Sequence, residues 1–323
     1  MKKLLATICC LLLIILGIHG LGHLVRPTDT DDEIKAIETF HSLPENSVEV
    51  IVYGSSHAWK GLDIMEMYRE YGVAAYNYGC NWQRLNTTSL FIHDSLRTQS
   101  PKVILIETFR VGELLEDTDI IGEVFYTREI PSSDEKKEYL KHCFGEKLGR
   151  YLSYYVPLFA FHENWSELKR ESFMANCATE DYFSTMGFDE SDEVVPVQLE
   201  DPETFEQHEI GDRAEDVLDD IVELCQEKNI EIIFYTVPYE GSYGFSAEMR
   251  EYAEENGCQY INFFEKITEI GLDANTDFQD KGHLNTRGSR KIAKYLGRYI
   301  AENYDVTDMR TVEGNIWEKN CAR

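Results

Sequence analysis

The chain reads as an α/β domain built on a parallel sheet with helices on both faces. Two observations predict this. Short apolar runs rich in Val, Ile and Tyr alternate with segments of helical periodicity, at a spacing that suits crossover helices. Gly or Pro punctuates the junctions. At 323 residues there is room for one large such domain with insertions, or for two smaller ones.

Each element follows from its residues. Val48–Tyr53 is a buried strand. Asp63–Tyr71 is a helix stopped by Gly72, Ala74–Tyr78 a second strand and Leu85–Thr98 a second helix. Pro101 precedes a third strand, Val103–Glu107. In Arg213–Glu227, Val217, Ile221 and Leu224 recur at helical spacing. Glu231–Val237 is a fourth strand closed by Pro238, and Ala247–Asn256 a helix ending at Gly257. Tyr260–Phe263 is a short fifth strand, and Thr286 is the expected cap of a last helix reaching about Asn303. Residues 304–323 form a C-terminal tail. From about 108 to 212 the alternation fails; Tyr151–Tyr155, Trp165 and the acid-rich run Asp189–Glu206 lie here. This stretch is read as a partly helical insertion at the sheet edge, a candidate wall for a substrate pocket, within a domain spanning 47–303.

The N-terminus, residues 1–25, is a membrane or export segment. Lys2 and Lys3 open it, Leu4–Ile18 is almost wholly apolar, and no formal charge appears before Arg26. A spanning helix needs about 20 apolar residues, and the lysines favour a cytoplasmic N-terminus. No clear cleavage site follows, so a single-pass signal anchor is preferred to a cleaved signal peptide that would leave a secreted chain. Residues 26–46 are a polar linker in which Ile34–Phe40 suits a short helix. The rest of the chain is then expected outside the cytoplasm.

The net charge is −28. That argues against nucleic acid, which is held by Lys and Arg on phosphates, and favours a repulsive, solvated surface. Eight cysteines are present, Cys9 and Cys10 in the apolar segment and Cys80, Cys143, Cys177, Cys225, Cys258 and Cys321 dispersed. None has zinc-ligand spacing, so no metal site is expected, and several read as buried thiols.

Two motifs carry chemistry. Gly54-Ser55-Ser56-His57 ends the first strand, and Asp280-Lys281-Gly282-His283-Leu284-Asn285 follows the fifth. In parallel α/β sheets, sites lie beyond the C-terminal ends of strands, so both motifs are expected at one edge. A serine hydroxyl needs a base to take its proton. Histidine suits the task, and a carboxylate holds its tautomer and stabilises its cation. Asp280, three residues before His283, is placed for that. The serine backbone N–H and Gly79, at the end of the second strand, are candidate oxyanion donors. Alone, each motif is more often a turn, a cap or an exposed loop pair. Jointly they point to acyl transfer from an ester, which requires Ser56 Oγ and His283 Nε2 to approach within about 2.6–3.2 Å.

The layout resembles the SGNH (GDSL-type) hydrolase superfamily, with a Gly-Asp-Ser block ending strand one, a Gly block after strand two and Asp-x-x-His near the C-terminus. Residues 48–107 and 213–303 match it. The Gly-Ser-Ser form, the anchor and the Asp-x-x-His-Leu-Asn ending resemble a membrane-anchored branch that includes DltD, of teichoic-acid D-alanylation, and the alginate-type O-acetylation proteins. The resemblance implies a three-layer α/β/α, flavodoxin-like fold and a Ser56–His283–Asp280 triad, with Ser56 rather than Ser55 as nucleophile. It implies an acyl-enzyme route without metal or organic cofactor. The superfamily's Gly-x-Asn-Asp block is missing: Glu107-Thr108-Phe109-Arg110 stands there, so the asparagine donor is unassigned, and Asn81 is the candidate replacement. His57, Arg110 and Trp165 are candidate substrate contacts, against bland readings as helix start, ion pair and buried core.

The expected function is thus an exported, membrane-anchored serine esterase or O-acyltransferase acting on small, acetyl-like esters of a cell-surface polysaccharide or envelope polymer. A multi-pass membrane O-acyltransferase is a candidate partner. The alternative is a non-catalytic accessory protein of envelope-polymer modification or export, with a degraded triad.

Overall fold

The computed structural model describes residues 1–174, 182–201, 204–241 and 243–321. From the N-terminus come α1 (Lys2–Val25), α2 (Asp31–His41), β1 (Val50–Tyr53), α3 (Ser56–Trp59), α4 (Ile64–Tyr71), β2 (Ala75–Asn77), α5 (Leu85–Ser95) and β3 (Val103–Glu107). A helical stretch follows: α6 (Gly122–Tyr126), α7 (Asp134–Phe144), α8 (Leu148–Tyr155) and α9 (Pro157–Phe161). The chain then returns to alternation with β4 (Glu206–Gln207), α10 (Asp212–Glu227), β5 (Glu231–Thr236), β6 (Tyr243–Gly244), α11 (Ser246–Glu255), β7 (Gln259–Asn262), α12 (Ile267–Ile270), α13 (Thr286–Asn303) and α14 (Ile316–Cys321).

The residues form two compact units, 1–35 with 115–179, and 36–114 with 180–323. The second holds the main sheet, all parallel, in the order β2-β1-β3-β5-β7. Counting only its five strands, this is the flavodoxin-like order 2-1-3-4-5, and the α/β class read from the sequence holds. β1 and β3 are buried along their whole length, which is why they read as unbroken apolar runs instead of alternating ones. β4 and β6 make a separate parallel pair.

Helices cover both sides of this sheet. α4 packs with α13, and α5 with α10. The Asp63 carboxylate caps α4 through the Glu66 N–H (3.1 Å) and accepts from Arg290 Nε on α13 (2.9 Å), so one acid starts a helix and ties it to its neighbour. The C-terminal residues fold back on the sheet: Trp317 in α14 is 1% exposed, and its Nε1 donates to the Ala75 carbonyl at 3.0 Å.

The first unit contains α1 and α6–α9. Lys2–Val25 is long and apolar enough to span a membrane. The unit's own core gathers Phe125, Tyr139, Leu140, Cys143, Phe144 and Tyr154. Cys143 and Cys225 are buried free thiols whose pKa values burial raises to about 12. Cys177 lies outside the described residues.

Candidate functional site

The site grows from the C-terminal tip of β1. Gly54 turns the chain with φ +137°, and a Cβ there would meet Glu107 Cβ at 2.8 Å. Only glycine suits that turn and that closeness. Ser55 is then the N-cap of α3, its Oγ accepting from the His57 N–H at 3.3 Å and donating to Glu107 Oε2 at 3.3 Å. Ser55 is therefore turned inward. Ser56, the first residue of the helix, is turned the other way: its Oγ lies 2.7 Å from His283 Nε2.

The other half comes from the loop after α12. His283 Nδ1 meets Asp280 Oδ1 at 2.9 Å and Oδ2 at 3.0 Å. With Nδ1 protonated towards the carboxylate, Nε2 is left to accept from the Ser56 hydroxyl. Asp280 Oδ1 also accepts from the Gly282 N–H (2.7 Å) and the His283 N–H (2.9 Å), so the loop backbone orients the acid. Burial of Asp280 alone would raise its pKa; the hydrogen bonds and charge of His283 and the two N–H groups hold it below the usual carboxylate range. The loop is braced by an antiparallel bridge between Phe278 and Leu284 and by the Gln279 N–H on the His283 carbonyl (3.0 Å).

The expected oxyanion donors stand as follows. Ser56 N–H opens α3 and has no acceptor within its own turn. Gly79 approaches closely, a Cβ there meeting the Gly54 carbonyl at 3.1 Å, but its N–H donates to Asn77 Oδ1 at 3.1 Å. Asn81, partly buried, directly follows Cys80, whose N–H is clipped to the Gly54 carbonyl at 3.2 Å.

Around Ser56 the structure gathers His57, a candidate contact read from the sequence, with rings and an acid that the sequence did not single out. The His57 ring is 3% exposed, stacked on Phe109 at 3.9 Å and set edge-on to Tyr239 (5.1 Å) and His283 (5.4 Å). Its Nδ1 is buried and meets no partner among the described residues. Burial, then the charges of His283 and Arg110, hold its pKa well below the ordinary value. Glu107, ending β3, is 3% exposed; burial raises its pKa to about 8 against hydrogen bonds from the Phe109 N–H and Ser55. An acid closing an otherwise apolar strand was the available signal for it. Arg110 pairs with Glu113 and lies over the exposed Trp82 ring, 4.3 Å from its centroid. Trp82 has φ +61°, uncommon for a bulky residue. Trp165 belongs to the other unit, in a short turn, 43% exposed.

Phe109 and Tyr239 also border an aromatic crevice with Phe205, Phe245 and Phe264 of about 10 Å³, room for one water. Phe205, Ser246, Asn262 and Phe264 continue into an open groove of about 550 Å³. Ser56, Asp280 and His283 line neither; the crevice reaches them only through the rings packed on His57.

No family model and no curated protein matches the chain. Among solved structures, one that matches is a protein from Bacteroides fragilis provisionally described as an acylhydrolase. The two are 10% identical, with 82% of this chain and 93% of that one covered, at a TM-score of 0.40.

Proposed function

We propose that the chain is a membrane-anchored serine esterase or O-acyltransferase of the SGNH type, working outside the cytoplasm on small acyl esters of a cell-surface polysaccharide or related envelope polymer. One observation carries the reading: His283 bridges Ser56 Oγ and the Asp280 carboxylate through its two ring nitrogens, at 2.7 and 2.9 Å. Ser56 attacks the ester carbonyl while His283 takes its proton. Asp280 stabilises the imidazolium, and the proton then goes to the leaving alkoxide. The Ser56 N–H holds one side of the oxyanion. Water or a sugar hydroxyl then takes the acyl group from Ser56 by the reverse steps. If the acyl group is transferred to a polymer, a multi-pass membrane O-acyltransferase is the partner that would supply it. The anchor is α1, long and apolar enough to span.

The accessory, non-catalytic reading draws on the Gly79 N–H, which is occupied by Asn77 Oδ1. An active enzyme must free that donor or use another. A fluorophosphonate probe separates the two readings. It should label wild type and not Ser56→Ala, with aryl-acetate turnover falling about 10³-fold or more in Ser56→Ala and His283→Ala. Equal labelling of wild type and Ser56→Ala sinks the enzyme and leaves the accessory role.

A further inference from the structure

Among the described residues, the first unit leaves an apolar face exposed. α8 and α9 meet at Val156, whose N–H donates to the Leu152 carbonyl and whose carbonyl accepts from the Phe159 N–H. Leu148, Leu152 and Tyr155 recur every three or four residues, which puts them on one side of α8, and Phe159 follows in α9. All four are exposed, at 71, 50, 61 and 54%. Tyr154, on the opposite side, is 1% exposed, with its hydroxyl 3.1 Å from Thr127 Oγ1. Trp165, Phe173 and Met174 of the same unit are exposed as well. Burying such side chains is favourable, and a cluster this dense marks an interaction surface.

Its place identifies the partner. The outer end of α1 is bonded to this same segment. Gly22 lies so close to α9 that a Cβ there would meet Leu158 N at 3.2 Å. His23 Nε2 donates to the Met174 carbonyl at 2.7 Å, and Asn164 Nδ2 to the Val25 carbonyl at 3.1 Å. A helix of this length measures about 36 Å against a hydrocarbon core of about 30 Å, so its last turn ends at the lipid headgroups. The exposed Leu, Phe, Tyr and Trp side chains are therefore fastened at interfacial depth, where such residues are favoured. The charge pattern agrees. From Leu148 through His162 the only formal charge is Arg150, in a chain with 59 acidic residues.

We propose that the face of Leu148, Leu152, Tyr155, Phe159 and Trp165 is seated in the headgroup–acyl boundary of the bilayer that α1 spans. The chain then holds its membrane by a span and by a docked surface. The proposal rests on the reading of α1 as a membrane anchor.

The test uses the full chain in phospholipid vesicles, with lipid brominated near the glycerol end of its chains. Leu152→Trp and Phe159→Trp should each add emission that these lipids quench at least about twofold, as expected for interfacial depth. Glu223→Trp, at an exposed position of the acid-rich helix α10, should add emission they leave unchanged. Trp165 supplies the same readout without a new ring, as the difference between wild type and Trp165→Phe. Unquenched emission at 152, 159 and 165 in a chain that resists alkaline carbonate overturns the docked face and leaves the anchor. Loss of the chain in carbonate overturns both. Unquenched emission with Leu152→Cys chains cross-linking to each other assigns the face to a second copy instead.

Discussion

Glu107 ends an apolar strand with a carboxyl that water barely reaches, directly beneath the Gly54–Ser55 turn. Burial makes its charged form costly, and its pKa rises from 4.5 to about 8. The folded protein therefore keeps this proton over a range in which the unfolded chain has lost it. Its contribution to stability is complete below the unfolded value and is lost as pH rises towards the folded one. Over that window wild type should lose about 1.4 kcal/mol per pH unit relative to Glu107→Gln, which is neutral throughout. Urea denaturation at about pH 5 and pH 7.5 checks this, and parallel behaviour of the two proteins would show that Glu107 is charged. The same carboxyl draws Ser55 Oγ inward, so of two adjacent serines only Ser56 faces His283.

At the scale of elements, the loop between α12 and α13 positions His283. Asn285 secures both its ends. Its Oδ1 caps α13 through the Arg287 N–H (3.0 Å) and the Gly288 N–H (3.2 Å), while its Nδ2 donates to the carbonyls of Glu193 and Thr276, both at 2.9 Å. The sequence suggested Thr286 as cap; instead the Thr286 hydroxyl donates to the Ser191 carbonyl at 3.0 Å. Asn285→Ala removes the cap and strands two carbonyls, and should cost about 2–4 kcal/mol by urea denaturation. Asn285→Asp keeps the cap and should cost less. A loss within error for alanine would mean that the loop is braced from elsewhere.

Across the whole molecule charge is unbalanced. With 59 acidic and 31 basic residues, carboxylates outnumber Lys and Arg by 28. Self-repulsion then opposes compactness, and salt screens it within about 10 Å at 0.1 M. The thermal midpoint should rise by several degrees between about 10 mM and about 0.5 M sodium chloride. A flat or falling midpoint would show the acids to be spaced beyond one another's reach.

The parallel sheet was legible because buried parallel strands are continuous apolar runs bounded by Gly and Pro, a local pattern. The tip of β1 with its two serines and the Asp280-x-x-His283 loop were legible for the same reason: strand ends are local, and ligands gather beyond them. The sequence by itself thus determined the fold class, the apolar N-terminal helix and the two motifs whose side chains meet at the site. Only the tertiary structure decided that Ser56 Oγ and His283 Nε2 meet at 2.7 Å, that the Gly79 N–H is taken by Asn77, and that Phe109 and Tyr239 enclose His57. Those facts depend on ångström-scale approach between segments up to 227 residues apart, and no periodicity within a segment carries that information.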